Sequence, residues 1–134
     1  MKVIKAESKA RFASLQQNAD LKVFHHHIYE YKKGVRNLIL TTERASAKEY
    51  IEKRLQNEGI NYVIQDVNPE KINVFFGAKD CVEVVRTFVS KRLNELSPEE
   101  DFLLGIMLGY DRIKQCERYL KMKNNVILFK SVVK

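Results

Sequence analysis

The sequence predicts an α+β fold: a four- or five-stranded, mainly antiparallel sheet with helices on one face, around a ferredoxin-like, split βαβ core. Three observations lead there. Runs rich in β-branched and aromatic residues occur at 22–31, 35–42, 60–67 and 71–77. Apolar residues at helical spacing follow start signals near Ser46, Asp80 and Ser97. The order over residues 35–93 is strand, helix, strand, strand, helix, which is the split βαβ order, with a right-handed crossover expected.

The elements follow in chain order. Residues 1–21 are rich in Lys, Ala, Ser and Gln, with apolar residues at wide intervals, and read as a loosely ordered lead-in. The runs KVFHHHIYEY (22–31) and VRNLILTT (35–42) read as strands, and Lys32-Lys33-Gly34 between them suits a hairpin because glycine supplies a positive φ. Ser46-Ala47-Lys48-Glu49 has the spacing of a capping box, which starts a helix over residues 47–58 that Gly59 closes. Two strands, 60–67 and 71–77, are joined by the turn Asn68-Pro69-Glu70.

Asp80 precedes an amphipathic helix with Cys81, Val84, Val85, Phe88 and Leu93 on one face, and Glu83 stands where it would complete a second cap. Ser97-Pro98-Glu99-Glu100 is the clearest start in the chain: a cap residue, proline at the first helical position, then acids against the positive end of the helix dipole. That helix runs toward Leu120, over twenty residues, so a break in its middle is expected, and Asn124-Asn125 ends it. Residues 123–134 form a tail or an edge strand, leaving 22–122 as the single domain.

Composition narrows the function classes. The chain has 134 residues, 45% of them hydrophobic and 31% charged, which is enough for one core without a metal or disulfide staple. Its longest apolar stretch, residues 102–110, contains two glycines and is less than half of the roughly 20 residues a membrane span needs. The first dozen residues lack the hydrophobic block of a signal peptide, so the expected location is the cytoplasm, with Cys81 and Cys116 reduced. The net charge is +7, but the excess is spread over the chain without a basic stripe or a recognition module, which makes nucleic acid an unfavoured partner. An acidic protein suits the charge better.

No nucleophile elbow, P-loop, dinucleotide fingerprint, HExxH or kinase motif is present. Phe76-Gly77-Ala78-Lys79-Asp80 offers one glycine, too few for a phosphate cradle. His25, His26 and His27 stand out: on a strand, His25 and His27 share a side and could offer two imidazoles, but no third ligand is evident and no metal is expected. Cys81 at a helix start is a candidate nucleophile, set against its reading as a small core residue. Gly105 and Gly109 each cost the helix about 1 kcal/mol and ask for a close backbone approach, within the chain or across a homodimer. Tyr110, Arg112, Arg118 and Tyr119 are candidate partner-binding residues.

Several segments also resemble a known family. They are His26-His27-Ile28-Tyr29-Glu30 with Lys33-Gly34, and Ile72-Asn73-Val74-Phe75-Phe76-Gly77. The most telling is Leu93-Asn94-Glu95-Leu96-Ser97-Pro98-Glu99-Glu100-Asp101-Phe102, followed by Leu108-Gly109-Tyr110-Asp111 and Gln115-Cys116-Glu117-Arg118-Tyr119. Over residues 23–120 the chain resembles a small bacterial family catalogued as domain of unknown function two thousand and twenty-three. The resemblance implies an uncharacterised cytoplasmic protein, some of whose relatives are encoded beside a flavodoxin, and it carries no catalytic residue. It points to an acidic flavodoxin as partner of a basic domain that needs no cofactor of its own. The favoured expectation is thus a non-catalytic binding or accessory protein. The alternatives are a metal- or thiol-dependent enzyme using His25, His27 and Cys81, and a weak nucleic-acid binder.

Overall fold

A computed structural model describes residues 21–133, with side chains through residue 125; the expected lead-in at 1–20 lies outside the described residues. Helix α1 (residues 21–32) leads into β1 (Leu38–Arg44), a 3-10 turn (Ala45–Ala47) and α2 (Lys48–Asn57). β2 (Asn61–Asp66) and β3 (Lys71–Gly77) form a hairpin, and α3 (Lys79–Arg86), a 3-10 turn (Leu93–Glu95), α4 (Pro98–Met107) and α5 (Arg112–Val133) complete the chain. No helix among the described residues is long and apolar enough to cross a membrane.

The sheet has three antiparallel strands in the order β1-β3-β2. The split βαβ order over residues 35–93 is present, with α2 crossing from β1 to β2 and β3 inserted between them. The described residues do not complete the expected four or five strands, nor the ferredoxin-like core, because the chain after α3 supplies helices and no further strand.

The helices also lie on both faces, not on one. β3 is buried along nearly its whole length. Ile72, Val74 and Phe76 join Phe24, Ile28, Ile51 and Leu55 of α1 and α2 in one core. Phe75, with Leu38 and Val63, joins Val82, Val85, Phe88 and Leu104 of α3, its following turn and α4 in the other. A central strand covered on both sides reads as a continuous apolar run instead of an alternating one, and KINVFFG is such a run.

Residues 22–31 are helix where a strand was expected. Leu21, Phe24 and Ile28 recur at helical spacing and are buried on one face. Gly34 closes this helix instead of turning a hairpin: at φ +77° it lets Val35 donate to Glu30 and its own amide donate to Tyr31, the Schellman pattern. Residues 123–133 continue α5, so Asn124-Asn125 is no stop and no edge strand forms there.

Two expected caps are absent. The 3-10 turn carries the chain straight from β1 into α2, so Ser46 sits inside a turn and makes no capping bond. α3 begins two residues earlier than expected, with Ala78 at its N-cap and Asp80 within its first turn, and ends at Arg86. The cap at α4 is present: Ser97 Oγ accepts from the Glu100 amide at 3.1 Å while Glu100 accepts from the Ser97 amide at 2.9 Å.

Candidate functional site

α4 and α5 form a helical hairpin built from sequence signals that the chain shows plainly. Gly109, at φ +82°, takes the left-handed position of a Schellman turn in which Tyr110 donates to Gly105 and Gly109 donates to Ile106. Gly105 lies against α5, where an added Cβ would stand 2.0 Å from Gln115 Oε1. Both glycines are therefore accounted for within the chain.

The facing sides of the hairpin are fastened by charge. Arg118 donates to both oxygens of Asp101 at 2.8 and 3.1 Å, and this hydrogen bonding raises the guanidinium's pKa above its usual range. Glu99 takes hydrogen bonds from Lys123 and Tyr119, and the one from Lys123 holds its carboxyl below the ordinary carboxylate value. The Tyr119 ring lies 5.5 Å from that of Phe102. Two of the expected partner-binding residues, Arg118 and Tyr119, thus engage their polar groups with acids of α4, although Arg118 stays exposed, as Tyr110 and Arg112 are.

The outer side of α5 is different. Ile113 and Leu120 are 72% and 58% exposed, with Cys116 exposed between them at helical spacing. Glu117, then Lys121 and Lys114, flank this stripe on one side and Arg112 on the other. Of the bases on α5, Arg118 and Lys123 are paired with Asp101 and Glu99 of α4, and over residues 112–125 Arg112, Lys114 and Lys121 stand beside a single acid, Glu117. Ile113 and Leu120 are seven residues apart, a spacing that in sequence equally suits the core stripe of one long helix.

On a helix, residues two apart point in different directions, so His25 and His27 do not form a pair. His25 Nε2 lies 3.1 Å from the Tyr50 hydroxyl and its Nδ1 lies 3.5 Å from Arg54 Nη1. Arg54 can only donate, so this contact favours Nδ1 as an acceptor, which suits the neutral ring. Burial, then the Arg54 charge, lowers its pKa. His27 Nδ1 is buried without a partner among the described residues, and burial followed by Arg36 lowers its pKa as well. His26 pairs with Glu30 one turn along, at 2.9 Å. No group of three or more metal-ligating side chains converges among the described residues.

Cys81 is half-buried at the margin of the α3–α4 core, on the opposite face of the sheet from the histidines. The three candidates of the enzyme reading are not brought together. Sequence reasoning also missed a polar chain across that face. Thr42 donates to Asn73 Oδ1 at 2.7 Å and Asn73 donates to Gln65 Oε1 at 3.0 Å. Gln65 in turn donates to the Val89 and Lys91 carbonyls at 2.9 and 2.7 Å. Asn73 is buried among apolar neighbours in a strand, and only the register, which sets it beside Thr42 and Gln65, shows why a polar residue stands there.

Residues 22–122 match a family model described as a protein of unknown function (DUF2023). No curated protein matches the chain.

Proposed function

The chain belongs to the DUF2023 family of proteins of unknown function, and from that premise we propose that it is a non-catalytic protein-binding module whose docking face is the outer side of α5. The observation that carries this reading is the exposure of Ile113 and Leu120 on a helix dominated by cations. Burying such a side chain in a complex returns about 1.5–3 kcal/mol, so two on one helix face make an anchor. The flanking Arg112, Lys114 and Lys121 would guide an acidic partner to that anchor and favour its approach over that of a basic one. The separation of His25 and His27 from Cys81 favours this reading over the thiol-dependent one.

An acidic flavodoxin in the bacterial cytoplasm is the partner we assign, on the family resemblance and the charge. The test is a titration of FMN-loaded flavodoxin into the full chain at low and at moderate salt. Association is expected at low salt, weakening as salt rises. Ile113→Ser with Leu120→Ser is expected to weaken it at least tenfold, with the circular dichroism unchanged. No association at low salt would sink the flavodoxin assignment, and binding indifferent to the double substitution would sink the docking face.

A further inference from the structure

Among the described residues β2 is an edge strand, paired with β3 on one side and with no strand on the other. Val67 donates to Lys71 of β3, and bonded positions alternate in an antiparallel ladder. Asn61, Val63 and Gln65 therefore turn their amides and carbonyls toward β3, while Tyr62, Ile64 and Asp66 turn theirs outward. One outward group is occupied: Arg86 Nη2 donates to the Tyr62 carbonyl at 2.9 Å. A groove of about 510 Å³ runs along the edge, with Lys48 and Glu52 of α2 on one bank and Arg86 of α3 on the other. β2 contains no proline and no lysine, two residues that commonly guard an exposed edge.

We propose that this edge pairs with the same edge of a second copy of the chain, joining two three-stranded sheets into one of six strands. Symmetry and charge select that occupant. With a two-fold axis beside Ile64, Ile64 meets its counterpart and Tyr62 meets Asp66 of the second copy, so each outward amide of this stretch meets an outward carbonyl. Residues 62, 64 and 66 share the sheet face covered by α2, where Tyr62 and Ile64 pack against the core. Asp66 of the second copy therefore enters a groove lined by Lys48 and Glu52 on one bank and Arg86 on the other, two bases against one acid, and its amide shares the Tyr62 carbonyl with Arg86. An acid enters this net basic lining twice in the dimer, once at each end of the shared strand pair. An unrelated extended peptide would gain the backbone bonds without this match. The contact is isologous and closed, because pairing consumes the β2 edge of both copies.

The test is the molar mass of the full chain in solution across a concentration series, by sedimentation. The expected mass is twice 15.7 kDa. Asp66→Lys, an exposed substitution outside both cores, is expected to weaken the dimer tenfold or more, and adding Lys48→Asp to restore part of the loss. Ile64→Pro removes an outward amide that the β3 ladder does not use, and is expected to leave a monomer with the secondary structure intact. A monomer up to about 1 mM overturns the proposal. So does a dimer that Asp66→Lys and Ile64→Pro leave unchanged, which would mean that the copies meet elsewhere. A monomer whose Ile64 amide exchanges slowly would mean that this chain covers its own edge, and overturns it too.

Discussion

Gly77 and Gly105 show how differently one residue type can be required. At Gly77, φ is +149° and an added Cβ would stand 2.2 Å from the Asn37 carbonyl oxygen, a backbone atom that also accepts from the Ala78 amide. Neither the torsion nor the obstacle can relax cheaply, so Gly77→Ala is expected to cost about 3 kcal/mol in urea denaturation. At Gly105 the obstacle is the end of the flexible Gln115 side chain, and alanine gains about 1 kcal/mol of helix propensity. Gly105→Ala should therefore fall within about 1 kcal/mol of the parent in the same measurement. His25 and His27 give a pH dependence of definite sign. The fold favours their neutral rings, with both pKa values lowered from 6.5. Their contribution is fully present above the unfolded value of 6.5 and is lost as pH falls through it toward the lowered folded values. Melting temperature should drop between about pH 7 and pH 5, and His25→Gln with His27→Gln should flatten that part of the profile.

Among the elements, the two Ser-x-x-Glu motifs separate a cap from its likeness. Ser97 precedes Pro98 with extended backbone and makes both bonds of the capping box. Ser46 has the same spacing to Glu49, but β1 runs into a 3-10 turn that leaves no extended residue at the N-cap, and Ala47 takes that place with helical backbone. Ser97→Ala is expected to lose about 1 kcal/mol of thermal stability, and Ser46→Ala no more than a few tenths. α1 carries the complementary lesson. Its β-branched, aromatic and histidine content suits a strand, whereas the spacing of Leu21, Phe24 and Ile28 suits a helix, and the spacing prevails because it buries all three on one face. The apolar run at 126–133 offers no such arbiter, since a short apolar run suits either element. Residues 112–120 were legible as helix from their apolar spacing after the Ser97 cap, as part of one long helix with a break, and the structure places that break at Gly109.

In the molecule as a whole, the Thr42–Asn73–Gln65 chain ties all three strands to the segment after α3, through the Val89 and Lys91 carbonyls. Asn73→Ala removes the central link and leaves buried partners unsatisfied, at a cost of about 1–3 kcal/mol. Hydrogen exchange should quicken in residues 87–96 before it does in α1 and α2, which belong to the other core. The two proposed interactions are told apart by substitution: Ile113→Ser with Leu120→Ser alters the α5 face and leaves the β2 edge untouched, whereas Asp66→Lys and Ile64→Pro alter the β2 edge alone. Each copy carries a formal charge of +7, so an acidic partner on α5 is released as salt rises.

The sequence by itself determined the elements whose signals are local. The β2–β3 hairpin follows from Asn68-Pro69, the start of α4 from Ser97-Pro98, the end of α2 from Gly59, and membership of the family from matched segments along residues 23–120. Tertiary structure decided what depends on neighbours distant in the chain. It placed helices on both faces of the sheet, because a strand as apolar as β3 has two sides to cover. It set His25 and Cys81 on opposite sides of that sheet. It tied the polar ends of Arg118 and Tyr119 to acids of α4 and left Ile113 and Leu120 in solvent, since a helix folded back on another has one side to pack and one to present. Where a signal is strictly local, as at Ser97-Pro98 or Asn68-Pro69, it fixes a boundary; which side of an element meets the rest of the molecule is decided by contacts that only the folded chain contains.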